Sequence, residues 1–194
     1  MQNTHTRVRQ ALATGLLLAG LGACGGGDSE VSPTQSLSYN AAGRVVLNDA
    51  SSCGLPDFRA DLLAQINAAR AQARFCGAEL MPPVGSLSWD DRLFSAAAKH
   101  ASDMAQSNYF DHIGLDGRTP SQRISAEGYR WSFAGENIAA GQTSVVSVMA
   151  GWLASPGHCA NLMHSPYTDV GVACVLAPAG ASYSRYWAMK LGRP

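Results

Sequence analysis

Three short polar segments interrupt an otherwise apolar sequence: YFDHIGLDGRTP (residues 109–120), AGENIAAG (residues 134–141) and SPGHCANLMHS (residues 155–165). Each segment holds one ionisable side chain flanked by glycine or aromatic residues: His112, Glu136 and His158. Two imidazoles and a carboxylate that converge from separate loops can bind a divalent metal ion or exchange protons. The sequence therefore predicts a functional cleft built from these three side chains.

The sequence around these segments predicts an α+β domain. Helical spacing or caps indicate helices over residues 57–75 and 90–107, a short helix from Thr119-Pro120 to Gly128, and a helix around residues 145–152. Valine-rich and aromatic runs predict a short strand at residues 85–89 and an antiparallel pair at residues 169–176 and 183–191. The charge-free stretch between Glu136 and His158 has the length of a membrane helix, but its serines, glycines and proline predict a loop followed by a buried helix.

Composition restricts the class of function. The chain has 194 residues, with 14 Lys+Arg and 14 Asp+Glu, and 46% of its residues are hydrophobic. A chain of this length is expected to form one domain. Because the charge is balanced and no basic cluster appears, the sequence gives no electrostatic footprint for nucleic acid, and we expect no nucleic-acid partner.

The N-terminus has the pattern of an export signal of the lipoprotein type over residues 1–23. Arg7 and Arg9 precede an uncharged apolar run that is too short to span a bilayer. The run ends in LGAC, which resembles a bacterial lipobox. Cys24 is therefore the predicted lipidation site, and through this lipid anchor the membrane is a predicted partner of the protein. Gly22 is a less usual choice there, which leaves cleavage by an ordinary signal peptidase, and hence secretion, as an alternative. The Gly- and Ser-containing residues 24–56 predict a flexible tether, and residues 57–194 the folded domain.

Four cysteines remain besides Cys24, an even number that is typical of disulfides in an oxidising compartment. Of the three possible connectivities, we favour Cys53–Cys76 with Cys159–Cys174, which closes short loops. Such loops contribute about 3 kcal/mol each in the chain-entropy model. Free buried thiols are the alternative, whereas a zinc-cysteine site is disfavoured because the sequence contains no CxxC pair.

The three polar segments, in this order, resemble the CAP superfamily of SCP domains, in its bacterial SPGH-type branch. GENIA and SPGH, about twenty residues apart, carry the resemblance, which extends over nearly all of the predicted domain. It implies an α-β-α sandwich with a mainly antiparallel sheet and a central cleft lined by two histidines and two glutamates, which can hold zinc. His112, Glu136 and His158 match three of these positions. Ser155 stands where the second glutamate is expected, which removes one carboxylate.

Three functions are compatible with this sequence. The first is a non-enzymatic, extracytoplasmic module that binds a lipid, glycan, metal ion or partner protein in the cleft. The second is a metal-assisted hydrolase of envelope peptides or proteins, with zinc on His112 and His158 and Glu136 as base. The third is a structural envelope protein. HExxH and GxSxG motifs are absent, no nucleophile is paired with a base, and one carboxylate is missing, so binding is favoured over catalysis.

Other residues in these segments have plainer interpretations. His100 lies on the apolar face of a predicted helix and is expected to be a hydrogen-bonded core histidine, whereas His164 is expected in an exposed loop. Glu136 could instead cap backbone N–H groups in its loop. For the aromatic residues near the three segments, core packing is favoured over a ligand groove; they are Tyr109, Phe110, Tyr129, Trp131 and Phe133.

Overall fold

The computed structural model describes residues 36–194. Eight strands and six helices follow one another in these residues. The strands are β1 (Ser38–Tyr39), β2 (Val45–Val46), β3 (Arg74–Cys76), β4 (Glu79–Met81), β5 (Ser88–Trp89), β6 (Phe133–Ala140), β7 (Asp169–Leu176) and β8 (Arg185–Arg193). The helices are α1 (Asp49–Ser52), α2 (Phe58–Arg70), α3 (Asp91–Ser107), α4 (Pro120–Ala126), α5 (Val145–Ala154) and α6 (Pro156–Leu162).

A four-stranded sheet in the order β5-β7-β8-β6 forms the central layer. Only the β5–β7 pair is parallel, so the sheet is mainly antiparallel. Helix α3 packs on one face against Ala173, Val175 and Ala188. Helices α2, α5 and α6 pack on the other face, around Trp152 and Trp187. The predicted α+β class and α-β-α sandwich are confirmed.

The longest helix shows why the sequence patterns predicted these elements. Helix α3 begins after Asp90, whose carboxylate accepts hydrogen bonds from two backbone N–H groups of the first turn. Its buried face is rich in alanine, which lets the helix axis approach the sheet closely. At the contact, Gly171 of β7 has no room for a Cβ atom, because that atom would overlap the backbone of Phe94. The predicted boundaries of this helix, of α4 and of β7 are confirmed.

The predicted tether is wrong from residue 36 onward. These residues form β1, β2 and α1 on the domain, and Val45 is buried against α3, where its N–H donates to Ser95 Oγ over 2.8 Å. The Gly- and Ser-containing composition suggested a linker, but burial of a few apolar side chains and a capped helix outweighs it. The predicted signal peptide, Cys24 and tether residues up to 35 lie outside the described residues.

The predicted disulfide pairing is also wrong, although all four cysteines are paired. The bonds are Cys53–Cys174 and Cys76–Cys159. Loop length favoured the short pairings, but tertiary contacts place the partners. Cys53 follows α1, which lies beside β7, and the Cys53 N–H donates to the Cys174 carbonyl over 3.0 Å. The β3–β4 hairpin lies against α6, which brings Cys76 to Cys159.

The segment AGENIAAG is a strand rather than a loop. Its small residues and glycines suggested a turn, but it forms β6, which pairs with β8 along its full length. The buried helix predicted after it is confirmed as α5. In residues 36–194 no helix combines the length and apolarity that crossing a bilayer requires.

Candidate functional site

The carboxylate of Glu136 is the centre of the candidate site. Glu136 lies on β6 directly opposite Lys190 of β8, and both side chains point to the face covered by α3. Its side chain is only 2% exposed. A carboxylate at this depth is costly unless cations or hydrogen-bond donors surround it.

Four basic side chains from four elements surround that carboxylate. Lys190 Nζ donates to Oε2 in a short contact, and Arg123 Nη2 donates to the same oxygen over 3.2 Å. His112 Nδ1 lies 2.7 Å from Oε1, and His100 Nε2 lies 3.9 Å from Oε2. Both oxygens are therefore already engaged. Glu136 does not cap backbone N–H groups, as the alternative interpretation had it; its hydrogen-bond partners among the described residues are side chains.

His112 is the member of this network that faces solvent, with its side chain 48% exposed. Because Nδ1 donates to the carboxylate in the neutral imidazole, Nε2 is left as an acceptor. A neighbouring carboxylate ordinarily raises a histidine pKa, but here burial and the charges of Lys190 and Arg123 lower the pKa of His112. The exposed nitrogen is thus kept as an unprotonated acceptor near neutral pH.

His158 and Ser155 lie at the junction of α5 and α6, where they line a groove of about 310 Å³. The walls of the groove are mainly apolar, from Ile138, Trp152, Phe110 and Tyr183. Burial and repulsion from His112 lower the pKa of His158. The two histidines are therefore close enough to interact electrostatically, but only His158 lines the groove.

Amide side chains hold α6 in register with β6. Asn137 Nδ2 donates to the His158 carbonyl over 3.0 Å, and Asn161 Nδ2 donates to the Glu136 carbonyl over 3.1 Å. Gly135 makes room for this contact, because a Cβ there would overlap the Tyr167 hydroxyl. The Asn of GENIA and the Asn that follows SPGH thus fix the position of His158 relative to Glu136.

The predicted zinc ligands do not form a ready three-ligand site. Within residues 36–194, no group of three or more His, Cys, Asp or Glu side chains lies close enough to hold a metal ion. In addition, both oxygens of Glu136 are already engaged by Lys190, Arg123 and His112. Zinc binding through His112 and His158 alone stays a prediction.

The other predicted histidines are placed as expected. His100 is buried, and its Nε2 lies 3.0 Å from the Asp111 carbonyl, which confirms a hydrogen-bonded core histidine. His164 is exposed in the loop after α6. The aromatic residues fit the two interpretations only in part. Tyr129 is buried and Tyr109 packs against the core, Phe110 lines the groove, and Trp131 and Phe133 are exposed.

Two residues of the network, Lys190 and Arg123, were not predicted from the sequence. A signal for Lys190 was present: it shares a strand face with Tyr186 and Ala188, within a run (residues 186–191) that is otherwise apolar. Its side chain must therefore be buried and must have a partner. Arg123 gave no comparable signal, because arginine is common on the surface of a short helix.

The fold and the site together define the class of protein. It is a small α-β-α sandwich with two disulfides, a glutamate on the sheet, and histidines contributed by two separate segments. Its groove lies at one edge of the sheet. Residues 63–191 match the profile described as "Cysteine-rich secretory protein family", CAP. The chain belongs to this family.

The matches to curated relatives cover only part of each relative's length. The chain is 35% identical over 86 residues to the "Uncharacterized protein YkwD" of Bacillus subtilis. The matched segment is 44% of this chain and 34% of that protein. It is 34% identical over 89 residues to the "Uncharacterized membrane protein YlbC" of the same organism, spanning 46% of this chain and 26% of that protein. The chain therefore matches about a third or less of these relatives.

Solved structures support the fold. An extracellular SCP-domain protein from Bacillus anthracis has 31% identity and a TM-score of 0.50, over 57% of this chain and 35% of that one. An outer surface protein from Borrelia burgdorferi has 22% identity and a TM-score of 0.58, over 71% of this chain and 95% of that one. The second likeness concerns the fold alone.

Proposed function

We propose that this protein is a non-enzymatic binding module of the bacterial cell envelope, and that its groove takes a ligand with an apolar chain and a polar group. The observation that carries the proposal is the state of Glu136, whose two oxygens are occupied by Lys190, Arg123 and His112. A carboxylate held in this way is a poor general base, since three hydrogen bonds engage its oxygens and its side chain is only 2% exposed.

The walls of the groove favour a ligand that has both an apolar chain and a polar group. Phe110 and Tyr183 contact each other with ring centroids 6.2 Å apart and give the groove an exposed aromatic wall. Ser155 and His158 supply polar groups on the α5–α6 side. Small-molecule sites commonly combine mainly apolar walls with a few polar groups that orient the ligand.

Export and anchoring belong to the same proposal. Two disulfides are typical of proteins that fold in an oxidising, extracytoplasmic compartment. Lipidation of Cys24 would hold the module at a membrane, in the outer membrane if the host has two, and secretion is the alternative. Replacing Cys24 by Ser is expected to release the protein from the membrane fraction; unchanged membrane association would contradict lipidation.

The groove is tested with a fluorescent fatty acid, dansyl-undecanoic acid, titrated into the purified protein. We expect saturable binding that Phe110→Ala weakens at least tenfold, because that substitution removes the exposed aromatic wall. Phe75→Ala is the matched control, since Phe75 is an exposed aromatic residue outside the groove. Equal affinity in the two variants, or no saturable binding, would refute an apolar ligand in this groove.

The metal-assisted hydrolase is a second candidate, favoured by one observation. His112 and Glu136 form a close imidazole–carboxylate pair with Nε2 directed away from the carboxylate. If the site served hydrolysis, zinc bound by His112 and His158 would polarise the substrate carbonyl. Elemental analysis of the purified protein, followed by hydrolysis assays on envelope peptides with and without added zinc, separates this function from binding.

A further inference from the structure

A second cavity, of about 490 Å³, lies between α3, α4 and the loop that connects them. It shares two wall residues, His100 and Arg123, with the Glu136 network, but neither His112 nor His158 lines it. Ala96 and Ala126 leave the cavity space on the two helices. Its volume is within the range of about 300–1,000 Å³ that is usual for small-molecule sites.

The walls of this cavity carry equal numbers of positive and negative side chains. The cations are Lys99, Arg118 and Arg123, and the acids are Asp103, Asp116 and Glu127. Most of these charges are already paired. Lys99 Nζ lies 2.6 Å from Glu127, Arg118 Nε lies 2.5 Å from Asp116, and Arg123 binds Glu136. A charged ligand would have to disrupt one of these pairs and leave its partner uncompensated, so the walls favour an uncharged one.

Two buried atoms of the wall residues have no hydrogen-bond partner among the described residues. They are His100 Nδ1 and Arg123 Nε. Burial lowers the pKa of His100 to about 3, and its Nε2 donates to the Asp111 carbonyl, so Nδ1 is an acceptor. Arg123 Nε is a donor. These unsatisfied groups, one acceptor and one donor, are buried below the cavity surface, so they add to the polarity of the wall without being open to a ligand.

We propose that this cavity is a binding site for an uncharged polyhydroxyl ligand, that is, a neutral saccharide. The carboxylates of Asp103, Asp116 and Glu127 accept hydrogen bonds from sugar hydroxyls, and Lys99 and Arg118 donate to the same kind of group. The exposed side chain of Leu115 at the rim offers an apolar contact for the sugar ring. A lipid chain does not fit these walls, because it would remove the charged groups from water without offering them any new hydrogen bond.

The test uses the ¹⁵N-labelled full chain and two neutral disaccharides, maltose and N,N′-diacetylchitobiose, with glucose 6-phosphate as the charged probe. We expect at least one neutral disaccharide to shift the amide signals of Lys99, Asp103 and Ala126. Ala126→Phe fills the cavity and is expected to weaken this binding at least tenfold. Ala68→Phe is the matched control, because Ala68 is a helical alanine outside the cavity.

Each other outcome overturns the proposal. It is wrong if neither disaccharide shifts these signals, if glucose 6-phosphate binds as tightly, or if Ala126→Phe and Ala68→Phe bind alike. Thermal unfolding of both variants checks that they are folded. Signals that move only at Phe110 and His158 would place the sugar in the first groove instead, so failure here is separable from failure of the proposed function.

Discussion

The two faces of the central sheet are stabilised by different physics. The face covered by α2, α5 and α6 holds two large tryptophans and both disulfides beside an apolar core. The face covered by α3 and α4 holds small alanines, the buried ionic network around Glu136, and a separate ion pair of Glu127 with Lys99. An apolar core tolerates substitutions that keep its volume. A buried ionic network, in contrast, is strongly destabilised when one partner is removed, because the other charge is left unpaired.

This difference assigns different tasks to the two faces. The apolar face supplies the rigidity that holds α6, and therefore His158, in place. The ionic face sets the charge and tautomer of His112 and lines the second cavity. We expect substitutions on the apolar face to change stability, and substitutions on the ionic face to change stability and site chemistry together.

The largest effect is expected for Glu136→Gln. The substitution keeps the shape of the side chain but leaves Lys190 and Arg123 buried without a carboxylate, which costs about 3–5 kcal/mol. Denaturant unfolding measures this loss. The double variant Glu136→Gln with Lys190→Met removes one of the stranded cations and is expected to be more stable than Glu136→Gln alone. If the double variant were less stable, the ionic network would not behave as one unit.

A somewhat smaller effect is expected for loss of one disulfide on the apolar face. Removing Cys76–Cys159 by double substitution to alanine is expected to cost about 2–4 kcal/mol. Because Cys159 follows His158, NMR signals of α6 and fatty-acid affinity should change as well. Removing Cys53–Cys174, which joins the end of α1 to β7 and does not involve α6, should lower stability without changing that affinity. Equal effects on affinity would contradict the separation.

A pH effect is expected from His100 on the ionic face. Its pKa is lowered to about 3 by burial and by the charges of Lys190 and Arg123, whereas an unfolded histidine titrates near 6.5. The unfolded state therefore binds the proton first, and stability is lost as the pH falls from about 6.5 toward 3, by up to about 1.4 kcal/mol per pH unit.

The variant His100→Gln isolates that effect. Its amide can still donate to the Asp111 carbonyl but does not titrate, so unfolding curves between pH 7 and 4 should lose the His100 slope. His164→Gln, at an exposed position, is the matched control and should retain it. Parallel pH profiles for wild type and His100→Gln would contradict the expectation.

The smallest effects are expected at two helix caps, one on each face. Thr119 caps α4, which carries Arg123, and Ser144 caps α5; both form capping boxes. Substitution of either by alanine is expected to cost about 1 kcal/mol in thermal or denaturant unfolding. Only Thr119→Ala should also shift the imidazole signals of His112, because Arg123 contacts both Glu136 and the His112 carbonyl. A shift in both variants would contradict the division of tasks.

Local sequence patterns were enough to predict much of the fold. Asp90 and Thr119-Pro120 predicted the start of α3 and α4, because caps and proline act within one helical turn. The alternating and β-branched residues of β7 predicted its bounds. Strand β6 was missed, because its small residues carry little strand propensity and its pairing with β8 is a long-range contact.

The candidate site was predictable only in its residue types. His112, Glu136 and His158 stand out in the sequence, since each is an ionisable residue in a short motif. Their chemistry depends on Lys190 and Arg123, which come from other elements. Those two cations engage Glu136 and, together with burial as the larger cause, lower the pKa of His112 where a neighbouring carboxylate would be expected to raise it.

The sequence by itself determined the class of fold, the segments that supply the site and the presence of four cysteines able to pair. Tertiary structure alone decided which cysteines meet, that residues 36–56 pack on the domain, and that the carboxylate of Glu136 is occupied. The reason is range: caps, turns and periodicity act over a few residues, whereas disulfide partners and buried ion pairs are chosen by elements that meet across the sheet.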